Sequence, residues 1–197
     1  MEDKKFDITS TAIEKGIDLI GGFIEKLAGS ALEEAGLYFG DKVRVRRLTN
    51  QIKIFSEAKR IAEENNISIK QIDLKILVPL LEFSSLEEDE TLQQKWSNLI
   101  VNFSDESQNY ESSIFPFILS QLNKSDVEAS DSFSTNRQYY LHHVGVIHSR
   151  IVKDNLLRLG LIEQHFGAIS DNPVGQKHKR TELGALFYEC CTNPRTT

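Results

Sequence analysis

Three histidines, His142, His143 and His148, fall in one stretch with helical periodicity. Metal ligands on a helix ordinarily stand at i and i+4, where both rings face one point. The spacings here are five and six, and no carboxylate stands four residues from any of the three. They therefore read as surface or core histidines. Glu87, Glu88, Asp89 and Glu90 form a run of acids, and oxygen ligands suit magnesium or calcium. No glycine-turn ligand spacing accompanies them. A helix expected at 90–103 follows directly, and acids favour the positive end of a helix dipole. Cys190 and Cys191 are adjacent, near the C-terminal end of an expected helix, with no basic residue within several positions before them. That setting disfavours a thiolate. Gly21-Gly22 lacks the Lys-Ser/Thr tail and the preceding strand of a phosphate loop. No Gly-x-Ser-x-Gly elbow occurs. The expectation is a protein without an active site, cofactor or metal.

A basic set is the remaining candidate. Lys177, His178, Lys179 and Arg180 follow a turn-rich stretch, and Arg150 and Lys153 precede it on the polar face of an expected helix. Arg150, Lys153, Lys177, Lys179 and Arg180 are the residues expected to meet nucleic acid or a partner, with affinity for nucleic acid coming mostly from phosphate neutralisation. Asp154 and Glu163 interrupt the patch.

These residues need elements to position them. Residues 1–11 read as a flexible N-terminus, with Ser10 or Thr11 as cap and Glu14 completing a capping box. Residues 12–38 read as an amphipathic helix with Ile13, Ile17, Ile20, Ile24, Leu27 and Ala31 on one stripe. Glycines at 22, 29 and 36 repeat every seven residues, which suggests close approach of a second helix, within the chain or across a homo-oligomer. Acids outnumber lysines there, which argues against an anionic membrane surface. Residues 42–64 form a helix carrying Leu48, Ile52, Phe55 and Ala62, with its early basic residues as a solvated face. An apolar segment at 73–84 contains Pro79, either as a kink or in a first turn.

Residues 104–113, SDESQNYESS, read as a linker between a helical domain at 12–103 and a second domain at 114–197. The charge changes there: 14 Lys+Arg face 21 Asp+Glu before residue 112, and 9 face 8 after it. The second domain reads as winged-helix-like. Helices are expected at 113–123, at a short element capped by Ser125 or Asp126, and at 137–159 with Tyr140, Val144, Ile147 and Ile151 inward. Gly160 stops the third helix. Strands at 161–166 and 177–180 enclose a turn, and Thr181 caps a last helix. The fold class is thus mainly α: an N-terminal helical region, then a winged-helix-like domain with a small β-hairpin.

The apolar fraction of 40% is ordinary for a globular protein, and no apolar run reaches the ~18 residues of a membrane span. MEDKKFDITST lacks the pattern of a signal peptide. Two unpaired cysteines fit a reducing compartment, so a cytoplasmic location is expected.

Three stretches resemble the abortive infection alpha family of bacterial proteins: DKVRVRRLTNQIKIFSEAKR at 41–60, KILVPLLEFSSLEEDETLQQKWSNLIVN at 75–102, and NLLRLGLIE at 155–163 with its trailing TELGALFYECC. The resemblance covers roughly residues 30–190. It implies a role in defence against phage, typically by stopping the infected cell, and it carries no catalytic residues to this chain. The reading is a non-enzymatic defence protein acting through protein or nucleic-acid contacts. The alternatives are a winged-helix DNA- or RNA-binding regulator, and a hydrolase or nuclease using the acids at 87–90.

Overall fold

The computed structural model of the protein describes residues 10–28, 42–110, 112–131, 149–165 and 177–194. The described residues form eight helices and one two-stranded antiparallel sheet. The helices are α1 (Ser10–Ala28), α2 (Lys42–Glu64), α3 (Leu74–Ser84), α4 (Glu90–Ser104), α5 (Ile114–Ser120), α6 (Lys124–Asp131), α7 (Arg150–Arg158) and α8 (Glu182–Cys190). The strands are β1 (Ile162–His165) and β2 (Lys177–Arg180).

α4 is the central element. Leu92, Trp96, Leu99 and Ile100 are buried, at helical spacing, and pack against Ile54, Phe55, Ala58 and Ile61 of α2. Ser97 Oγ donates to Ile54 O at 3.0 Å and ties the two backbones. The helix starts where the acids predict. Asp89 is its cap, with Oδ1 accepting from Thr91 N at 2.9 Å and Leu92 N at 3.2 Å. The far end of α4 reaches the last elements of the chain. Phe103 stacks on Phe115 of α5, with ring centres 6.0 Å apart, and Phe115 meets Phe187 of α8 edge-on at 5.6 Å. Buried side chains on both sides of 104–113 thus share one apolar cluster. Ser104 and Asp105 are themselves buried, and Lys70 N donates to Ser104 O at 2.7 Å.

The basic start of α2 has work beyond solvation. Arg47 Nε donates to Ser85 Oγ at 2.8 Å, Asn50 Nδ2 to Ser85 O at 3.0 Å and Gln51 Nε2 to Leu81 O at 2.9 Å. Asn50 and Gln51 thereby satisfy carbonyls that the C-terminal end of α3 leaves open, and Arg47 holds the Ser85 hydroxyl beside them. Pro79 sits in the interior of α3, not in its first turn.

Two local expectations need correction. The buried stripe of α1 is Ile20, Phe23 and Leu27, whereas Ile17 is 44% exposed. The stripe is therefore rotated from the expected one, and the glycine of close approach changes with it. A Cβ on Gly16 would lie 2.9 Å from two carbons of Ile52 on α2, while Gly21 and Gly22 face open space. Gly29 and Gly36 lie outside the described residues. Gly22→Ala should stabilise the protein by about 1 kcal/mol through helix propensity. Gly16→Leu should destabilise it by about 1–3 kcal/mol through overpacking. Thermal melts of the two variants check the opposite signs. The second correction is the cap of α6: Asn123 holds it, not Ser125. Asp126 N donates to Asn123 Oδ1 at 3.0 Å, and Asn123 N to Asp126 Oδ2 at 2.9 Å, a reciprocal capping box that starts the helix at Lys124. α1 already contains Ser10 and Thr11, so its cap also lies outside the described residues.

Candidate functional site

The basic set is carried by α7, the hairpin and the start of α8. Gly160, at φ 70°, closes α7 in the left-handed conformation that favours glycine. β1 and β2 then pair in register, Ile162 with Arg180, Glu163 with Lys179, Gln164 with His178 and His165 with Lys177. Thr181 Oγ1 accepts from Gly184 N at 2.9 Å and starts α8.

The five cations do not form one free surface. Arg180 turns inward. Its Nη2 donates to Ser130 O at 2.7 Å, and its guanidinium lies 4.1 Å from the centre of the Tyr188 ring. Burial pulls its pKa below the usual guanidinium value, against the pull of Tyr188, Asp131 and Glu189. It is a strut between β2, α6 and α8. Lys179 Nζ pairs across the strands with Glu163 Oε1 at 2.8 Å, half exposed. Arg150 pairs along α7 with Asp154 at 3.6 Å and is 90% exposed at its side chain. Lys153 is half-buried, and Lys177 opens β2. Asp154 and Glu163, read as interruptions, are the partners of two of these cations.

Ile151 was expected on the buried side of its helix but is 77% exposed, while Val152 and Leu156 are buried. The apolar face of α7 is thus turned by one residue. The three histidines of the expected longer helix lie outside the described residues.

The acids at 87–90 diverge. Glu87 Oε1 folds back onto Glu88 N and Asp89 N, Glu88 pairs with Arg46, and Asp89 caps α4. Among the described residues no three His, Cys, Asp or Glu side chains gather as a metal site. Carboxylates committed to a helix start and a surface pair have no common target, which argues against a hydrolase built on them.

Cys190 and Cys191 are buried thiols at the end of α8. Asn102 Nδ2 on α4 donates to Cys190 O and Thr192 O, both at 2.9 Å, and Asn98 Nδ2 donates to Cys191 O at 3.1 Å. Burial pushes the Cys191 thiol up to about 12, reinforced by Asp131 and opposed by Lys95, and burial likewise raises Cys190. Neither is an activated nucleophile. A disulfide-exchange reagent at pH 8 should label neither thiol in the native chain and both after unfolding. The unfolded thiols ionise first as pH rises, so this contribution to stability is intact below about pH 9 and is lost between there and about pH 12. Urea midpoints measured across that window should fall.

Several large apolar side chains of the helical part are also exposed. Leu74 and Val78 stand one turn apart on α3, and Ile114 and Phe117 on α5, which packs against α3 with Phe83 and Phe117 edge-on at 5.1 Å. No helix of the described residues is long and apolar enough to cross a membrane.

Residues 40–153 match a protein-family model described as abortive infection alpha. No curated protein and no solved structure matches the chain. The matched segment spans α2 to α6 and the first residues of α7, and it leaves out the hairpin and α8.

Proposed function

The chain belongs to the abortive infection alpha family, and from that premise we propose that it acts in defence against phage by contacting a protein partner, without chemistry of its own. The observation that carries the reading is the family match over residues 40–153. That segment includes the exposed apolar residues of α3 and α5 and excludes the hairpin with Lys177, Lys179 and Arg180. Exposed apolar clusters on a folded protein mark contact surfaces more often than isolated residues do. Lys179 and Arg180 of the hairpin are engaged by Glu163 and by Ser130 with Tyr188, which favours a protein partner over nucleic acid. The contact is made in the cytoplasm, where the free thiols stay reduced.

Tagged protein recovered from infected cells tests this. A protein partner recovered with the wild type should be lost with Val78→Lys plus Ile114→Lys, two exposed positions whose change leaves the core intact. A partner retained by the double variant would remove this face from the account. Nucleic acid recovered instead, and released as salt is raised, would favour Arg150 and Lys179 as the contact.

A further inference from the structure

We draw no further inference here: the strongest candidate, the apolar surface patch of α3 and α5 at Leu74, Val78, Ile114 and Phe117, belongs to the contact already proposed, and nothing in the structure shows what covers it.

Discussion

Gly184→Ala should lower the stability of the protein by about 3 kcal/mol, the upper end of overpacking costs. A Cβ built on Gly184 would lie 2.0 Å from Leu161 O and 2.8 Å from Leu161 C. Both are backbone atoms and cannot swing away as a flexible side chain would. The same turn is held from two other directions. Thr181 N donates to Leu161 O at 3.1 Å, and Thr181 Oγ1 donates to Gly160 O. The first turn of α8 therefore cannot retreat without releasing both the hairpin and its own cap. Helix propensity alone predicts the reverse, a gain of about 1 kcal/mol for alanine. Urea unfolding followed by circular dichroism reads the sign directly. A stabilised Gly184→Ala would mean that α8 does not sit on the Gly160–Leu161 turn.

Trp96→Ala should cost about 3–5 kcal/mol, the usual range for removing a large aromatic from a core. The side chain is fully buried at the centre of α4, among the apolar residues of α2. Against a typical domain stability of about 5–15 kcal/mol, that loss removes a large share of the total. Trp96→Phe should cost far less. The indole Nε1 is buried and has no hydrogen-bond partner among the described residues, so phenylalanine forfeits area but no polar contact. Comparable losses for the two variants, measured by urea midpoints, would contradict this placement of the ring.

The fold was most legible where one local signal decides an element. Asp89 at the end of the acidic run, the glycine at 160 and the threonine at 181 each mark a helix end through their own hydrogen bonds or φ. The span 42–64 is a helix with those bounds. Facing was less legible. Periodicity assigned Ile17 and Ile151 to the core, yet both are exposed, because a run with several apolar residues per turn admits more than one stripe. Only the neighbour settles which one, as Ile52 does for Gly16.

The candidate site was least legible. Arg180 looks like its neighbours Lys177 and Lys179 in sequence. Its inward turn depends on Ser130, 50 residues earlier, and on the Tyr188 ring two turns into α8. The carbonyls of residues 190–192 are likewise capped by Asn98 and Asn102, about ninety residues away. Asp105 is buried, yet it lies in a stretch whose polar composition reads as a linker. Its burial comes from the backbone pairing of Ile69 with Asp105, which composition does not encode.

The central claim is that the chain protects a bacterial host from phage through contacts of the α3–α5 face. Its most direct test is plaque formation by a broad phage panel on a sensitive host that expresses the wild type, or Val78→Lys plus Ile114→Lys, at equal level and with equal melting temperature. The account predicts that the wild type suppresses plaques of at least one phage and that the double variant restores them. Unchanged plaquing on the wild-type strain across the panel would contradict the defence role, and suppression retained in full by the double variant would contradict the contact.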